Sequence, residues 1–370
     1  MEEGQIIQRG PDRFLVRVYL GRDGGKRRYA NRTVKGTRKE ASKVRTAMLR
    51  DRDQGLAVAP GRLTLGDYLD RWLKDSAKAR VRARTHDQYS DLMRLHVRER
   101  IGSRPLAKLS PLDIQAVYSA MTAAGLKART VRYAHTVLFQ ALEQAKAWRL
   151  LPVNPAENLT LPRIVRTEMQ VFTAEQARAF LASEEGRREY PLWHFAIATG
   201  MRPSEILGAK WADLTEGAVS VRRTVCWRGK EWTFEDVKRP KSRRTIELDA
   251  DTLEILRKHK AAQAAERLAL GEHWTDHGLI FPAESGRPIV DMTLVNRFKA
   301  ALKRAKLPNL RLYDLRHTAA TLMLMAGIPA KVASERLGHS TAAFTLDVYS
   351  HVLPNMQKDA ATAIGSMLRR

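Results

Sequence analysis

The sequence predicts a multidomain chain: a small three-stranded α+β unit, then an all-α unit of four helices, then a mixed but mainly α unit. Three observations lead there. Apolar and polar residues alternate over residues 13–20, helix-opening signals recur between Thr64 and Trp148, and two linker-like stretches, GLAVAPG and LPRIVRTEMQ, stand between the patterned regions.

In the first unit Phe14, Val16, Val18 and Leu20 alternate with Arg13, Leu15, Arg17 and Tyr19. Asp23-Gly24-Gly25 then turns the chain into a second basic strand, KRRYANRTV. Period-two patterning with a glycine turn is the mark of a half-buried hairpin. Thr37 and Glu40 form a capping-box pair that opens a basic helix running to about Arg52. The glycines are not a phosphate-cradling loop, because Leu20 stands at the first required glycine and Arg27 follows Lys26 where Ser or Thr is needed.

From Leu63 to about Pro162 the pattern is helical. Starts are predicted at Thr64, at Thr85 with Gln88 three residues on, and at Ser110 followed by Pro111; a last helix runs from about Lys127 to Trp148. The Thr173 and Gln176 pair opens the first helix of the third unit. In the tail PNMQKDAATAIGSMLRR, Met356, Ala360, Ile364, Met367 and Leu368 recur at three- and four-residue spacing, predicting a short helix with one apolar stripe.

A formal charge of +25 and 44% hydrophobic content describe a chain with sizeable cores and a polyanionic partner. The basic excess is +8 in residues 1–61, +9 in 62–165 and +8 beyond, so every unit is basic, which argues for contact with DNA along the whole chain and against a single tethering arm. Cys226 is the only cysteine, which excludes an intrachain disulfide and fits a reducing compartment. No apolar run approaches a membrane span and no secretory h-region is read, so a cytoplasmic, nucleoid-associated protein is expected. His273 and His277 are four apart, but Trp274, Thr275, Asp276 and Gly278 predict a loop and no third ligand accompanies them; no metal and no cofactor are expected.

Four segments carry the chemistry: TGMRPSEI around Arg202, VKRPKSRRTIEL around Lys238, LYDLRHT around Arg316, and LGHSTAAFTLDVYSHV, in which Tyr349 stands ten positions after His339. A phosphodiester repels nucleophiles, and its pentacovalent transition state gathers charge on the non-bridging oxygens, so fixed cationic donors are needed there. Arginine suits this because its planar fork stays charged and grips two oxygens, which makes Arg202 and Arg316 the candidates. A lysine whose pKa falls near other cations can protonate a departing 5′-oxygen, a role that suits Lys238. Tyrosine, with a reference pKa of about 10, becomes a nucleophile where cations favour its phenolate. Tyr349 is placed to attack phosphorus and hold the DNA as a 3′-phosphotyrosine.

Taken together, in this order across about 150 residues, the segments resemble the tyrosine recombinase or phage integrase family, whose pattern is T-G-x-R-x-x-E, a hairpin lysine, H-x-x-R, L-G-H and a tyrosine roughly ten residues later. The resemblance implies a catalytic set of Arg202, Lys238, Tyr313, Arg316, His339 and Tyr349, with Glu205 bracing the first arginine. Tyr313 stands where the family usually has histidine and reads as a hydrogen-bonding substitute. The resemblance also implies the tyrosine recombinase fold: an arm-type DNA-binding domain over 1–57, a four-helix, SAM-like core-binding domain over 62–162, and a catalytic domain with a small antiparallel sheet over 170–370. Arg80, Arg82, Arg84, Lys127, Arg129 and Arg132, with Lys241 and Arg243, are the expected DNA contacts.

The implied function is a site-specific integrase acting on double-stranded attachment sites as a homotetramer through a Holliday junction, integrating or excising a mobile element such as a prophage, with an excision factor or host DNA-bending protein as further partners. Type IB topoisomerases use the same chemistry to relax supercoils as monomers, and a catalytically dead relative would keep the scaffold alone. Two N-terminal modules favour the integrase over the first, and the intact catalytic set disfavours the second.

Overall fold

The computed structural model of the chain describes residues 4–23, 26–53, 63–165, 170–229, 231–237, 242–338 and 356–368. It divides into two compact units, Met1–Arg166 and Thr167–Arg370.

The first unit opens with an antiparallel sheet of order β1-β2-β3, formed by β1 (Gln5–Gly10), β2 (Arg13–Asp23) and β3 (Lys26–Lys35). Alternation on β2 works as predicted: Phe14, Val16 and Val18 turn inward with Ala30 onto Ala41 and Met48 of helix α1 (Arg38–Asp53). The other face carries Arg17, whose Nε donates to Asn31 Oδ1 at 3.3 Å and whose guanidinium lies 4.6 Å over the Tyr29 ring. The capping box forms, with Glu40 Oε2 accepting from the Thr37 amide at 2.6 Å and the Glu40 amide donating to Thr37 Oγ1 at 3.3 Å. The three-stranded count holds, but the sequence located only two of the strands: the apolar pair of β1, Ile6-Ile7, is adjacent and shows no alternation to mark it.

Four further helices follow among the described residues: α2 (Leu65–Trp72), α3 (Ala83–Leu92), α4 (Pro111–Ala123) and α5 (Ala128–Ala147). Both α2 and α3 continue through a widened π turn, Leu73–Ala77 and Met93–Arg98 respectively. Thr64 and Ser110 cap α2 and α4 through the amides of Asp67 and Asp113, and Lys127 precedes α5 as expected. The predicted start at Thr85 is corrected: α3 opens at Ala83, two residues earlier. Val81 and Arg82 are extended and break the preceding helix, and Arg82 makes no side-chain cap, so the Thr85 hydroxyl signal lies inside the first turn. Tyr68, Trp72, Met93, Tyr118, Leu138 and Leu142 fill the core between these helices.

The second unit contains α6 (Ala174–Glu184), α7 (Tyr190–Thr199), α8 (Pro203–Gly208), strands β4 (Leu214–Thr215), β5 (Ala218–Val221), β6 (Arg223–Arg228), β7 (Glu231–Asp236) and β8 (Arg244–Glu247), then α9 (Ala250–Leu270), α10 (Asp291–Arg304), α11 (Asp314–Met325), α12 (Ala330–Leu337) and α13 (Met356–Leu368). The strands make an antiparallel sheet of order β4-β5-β8 and a hairpin β6-β7. Phe180, Trp193, Phe195, Phe281, Phe298 and Leu315 centre its core, in which α7 and α11 pack side by side. The predicted capping box at Thr173 and Gln176 opens α6. His273 ends a short 3-10 turn and His277 lies beyond it with its ring edge-on to Trp232 at 4.8 Å, so the two do not share a helix face. Among the described residues no helix is long and apolar enough to cross a membrane.

Candidate active site

The site is built where α7 ends, α8 begins and α11 starts. Helix α7 closes on Gly200, whose φ of 62° is the left-handed conformation glycine adopts freely; a Cβ there would come within 2.5 Å of Leu337 and 3.2 Å of Ala319. That close approach brings α7, α11 and α12 together. Arg202 then caps α8, with Pro203 at the first helical position, and Glu205 three residues on accepts the Arg202 amide at 3.0 Å and its Nη1 at 2.6 Å. The expected bracing of Arg202 by Glu205 is therefore a real contact. Glu205 is buried, yet its pKa lies below the usual carboxylate range: burial pushes it up, but Arg244 and then Arg202 outweigh that.

Arg316 sits in the first turn of α11, only 2% exposed. Its Nη1 donates to the Gly200 carbonyl at 2.9 Å, while Nε and Nη2, both buried, have no hydrogen-bond partner among the described residues. Burial, with Arg202 and Arg244 nearby, lowers its pKa below the ordinary arginine value, to about 10, against the favourable pull of Tyr313 and Glu205. A buried cation with idle donors is costly unless an anion completes it. One carboxylate among three guanidiniums leaves this corner with net positive charge, an arrangement that suits an anion with several acceptor oxygens.

Tyr313 precedes α11 and is 42% exposed; its ring meets the edge of His317 at 5.2 Å, and burial lowers the pKa of that histidine. Asp314 is buried and held by Arg311, accepting its amide at 2.9 Å. A cavity of about 630 Å³ opens beside Arg202 and Tyr313, floored by Leu207, Phe298 and Leu310.

The structure thus brings Arg202, Glu205, Tyr313 and Arg316 together. Lys238, Lys241, His339 and Tyr349 lie outside the described residues. Arg80, Arg82, Arg84, Lys127, Arg129 and Arg132 are all exposed, around the start of α3 and the start of α5, with Arg132 Nη1 on the Pro162 carbonyl at 3.3 Å. Arg243 is exposed and paired with Asp236 at 3.0 Å. Sequence reasoning missed Arg244, which holds Glu205 from the other side with Nη2 to Oε2 at 2.9 Å. A signal was available: on β8, Arg244 stands two residues from the fully buried Ile246 and so shares its inward face.

Comparison with known proteins agrees with this geometry. The model of the phage integrase family matches residues 170–356, and that of the phage integrase N-terminal SAM-like domain matches 64–122. An integrase of Streptomyces ambofaciens is 31% identical over 97% of this chain and 94% of its own length. A XerC-like tyrosine recombinase of Caldanaerobacter subterraneus is 25% identical over 98% of each. Among solved structures, the Tn1549 transposon integrase in complex with a circular intermediate DNA superposes with a TM-score of 0.69 at 19% identity, covering 82% of this chain and 99% of that one. A lambda integrase tetramer bound to a Holliday junction gives 0.60 at 19% identity, covering 93% and 94%.

Proposed function

This chain belongs to the phage integrase family of tyrosine recombinases, DNA strand-exchange enzymes, and we propose that it integrates and excises a mobile element by cleaving and rejoining attachment-site DNA through a 3′-phosphotyrosine and a Holliday junction. The observation that carries this reading is the buried Arg316 beside Arg202, with two donors that have no partner among the described residues. A scissile phosphate is the anion whose oxygens match them, and its charge is greatest in the transition state, where such donors count most.

In this mechanism Tyr349 attacks phosphorus as the phenolate that surrounding cations favour, the bond to the 5′-oxygen breaks, and Lys238 supplies the proton that the departing oxygen needs. Arg202 and Arg316 hold the non-bridging oxygens, and Tyr313 and His339 complete the hydrogen-bonding set. The phosphate ester keeps the energy of the broken bond, so a 5′-hydroxyl from a second duplex restores the backbone by attacking the phosphotyrosine. We place the arm-type DNA-binding domain at 1–57, the core-binding domain at 62–162 and the catalytic domain at 170–370. The open face of the β1-β2-β3 sheet, with Arg13, Arg17, Tyr29 and Asn31, suits a DNA groove. The exposed arginines around α3 and Lys127 to Arg132 suit phosphates of the core site, and Lys241 and Arg243 are further candidate DNA contacts. The protein acts in the bacterial cytoplasm at the nucleoid, with an excision factor or DNA-bending protein as auxiliary partners.

The reading is tested with a half-site nicked next to the cleavage position, so that the released fragment diffuses away and the adduct accumulates. A covalent 3′ adduct should form in EDTA, and Lys238→Ala should slow it by about 10²-fold or more while a 5′-bridging phosphorothiolate, whose sulfur leaves without a proton, restores the rate. A strict Mg²⁺ requirement would overturn the mechanism, and failure of sulfur to rescue would move the acid to Lys241.

Assembly rests on α13. Ile364 is 59% exposed, Met367 85% and Leu368 80%, so the stripe is not covered by its own unit at these positions. We propose that it docks on a neighbouring subunit of the synaptic homotetramer. Deleting residues from Asn355 onward should weaken synapsis and recombination at least about tenfold and spare binding of one protomer to a half-site, as read by gel shift. Full recombination by the truncated protein would dismiss the idea.

A further inference from the structure

We propose that Arg244 is a positioning residue for strand cleavage: its guanidinium clamps the Glu205 carboxylate to the end of α12, so that Arg202 and the chain entering the His339 segment are held in one frame. The inference rests on the strand-cleavage reading above and adds to it a residue outside the catalytic set.

The contacts are these. Arg244 Nη2 donates to Glu205 Oε2 at 2.9 Å and Nη1 reaches Oε1 at 3.4 Å, while Nη1 also donates to the Ser242 carbonyl at 3.1 Å and Nε to the Arg336 carbonyl at 2.6 Å. Arg202 shares the same carboxylate and extends Nη2 to the Gly338 carbonyl at 3.2 Å. Two arginines from different elements, joined through one carboxylate, thus grip carbonyls two residues apart at the end of α12, where unpaired carbonyls and the helix dipole favour cations. Gly338 leaves the helix with φ of 68°, and a Cβ there would lie 3.0 Å from Arg244 Nη1, so the two fit together only with glycine.

Arg244 differs from Arg316 in how its donors are spent. Its side chain is 7% exposed and every nitrogen is engaged by the protein, whereas two nitrogens of Arg316 have no partner among the described residues. Arg244 is therefore saturated and does not compete for the phosphate. Its effect on chemistry passes through Arg202 on one side and the α12 exit on the other, and His339 follows Gly338 directly. A displacement of about 1 Å in such a frame costs on the order of 10²-fold in rate.

Full-length Arg244→Lys and Arg244→Gln are compared with wild type on the nicked half-site in single turnover. Lysine keeps the charge but cannot span Glu205 and the Arg336 carbonyl together. Expected are a rate constant for adduct formation lowered on the order of 10²-fold, equal slowing with oxygen and sulfur leaving groups, an unchanged final adduct yield, and half-site affinity within about threefold. Hydrogen exchange of the DNA-free chain should quicken in peptides covering 330–338 while α7 and α11 stay protected. Cleavage by Arg244→Lys within about threefold of wild type overturns the proposal. So does a yield that falls in step with the folded fraction at an unchanged rate constant. Should a variant bind no half-site, exchange decides: opening confined to 330–338 supports the clamp, and global opening rejects it. Absence of any adduct from the wild type would sink the strand-cleavage reading itself, a result separate from all of these.

Discussion

Arg316→Met should lower the rate of adduct formation by about 10³-fold or more while leaving the protein as stable as before. The two halves of this expectation come from one feature. Arg316 is 2% exposed and spends one contact on the Gly200 carbonyl, while Nε and Nη2 have no partner among the described residues. The lowering of its pKa below the ordinary arginine value, to about 10, means that the folded state disfavours the charged form, at a cost on the order of 3 kcal/mol. That cost is fully present at neutral pH, below both values, and fades only as pH climbs through 10. Methionine removes it and leaves the Gly200 carbonyl unpaired, a loss of about 1–3 kcal/mol, so the two roughly cancel. With DNA bound the balance reverses, because the donors then face charge that grows toward the transition state. Single-turnover cleavage and a thermal melt check the prediction together. A melting point lowered by more than about 10 °C would show that Arg316 holds the fold and is not kept in reserve for an anion. Cleavage within about tenfold of wild type would show that it does not face the phosphate.

Arg316, Arg202 and Glu205 were legible in the sequence because the family pattern fixes their order and because Glu205 lies three residues from Arg202, one helical turn away. That Arg316 is buried with unused donors was not legible, since only the packing of α7 against α11 decides which carbonyl reaches it. Arg244 was half legible: its spacing of two from the apolar Ile246 marks an inward position on a strand, but its neighbour Arg243 has the same chemistry and reads equally as a DNA contact, and the pairing of β8 with β5 is what makes the segment a strand. Local signals placed the caps at Thr64, Ser110 and Thr173 well because a cap is a contact over three residues. The signal at Thr85 failed for a matching reason: α3 is opened by the extended backbone at Val81 and Arg82, without a side-chain cap.

Tyr349→Phe should form no covalent adduct at all and bind a half-site as wild type does. Two tyrosines compete for the role of nucleophile. Tyr313 stands within electrostatic reach of Arg316, and its ring is accessible, so proximity to cations alone does not exclude it. Geometry argues otherwise. Tyr313 lies three residues before Arg316, at the start of α11, with its ring edge on His317, which suits a hydroxyl that donates to a phosphate oxygen from the same side as the arginine. In-line attack needs a nucleophile opposite the leaving oxygen, and Tyr349, ten positions beyond His339, is the tyrosine that the family pattern offers for it. Phenylalanine removes one hydroxyl and keeps the ring, so packing changes by no more than about 1 kcal/mol and binding is preserved. Tyr313→Phe should keep the adduct with cleavage slowed by about tenfold, the loss of one hydrogen bond to the phosphate. The measurement is mass spectrometry of the peptide that carries the DNA. Recovery of the adduct on the Tyr313 peptide, or its persistence in Tyr349→Phe, would transfer the nucleophile to α11 and reverse the two assignments.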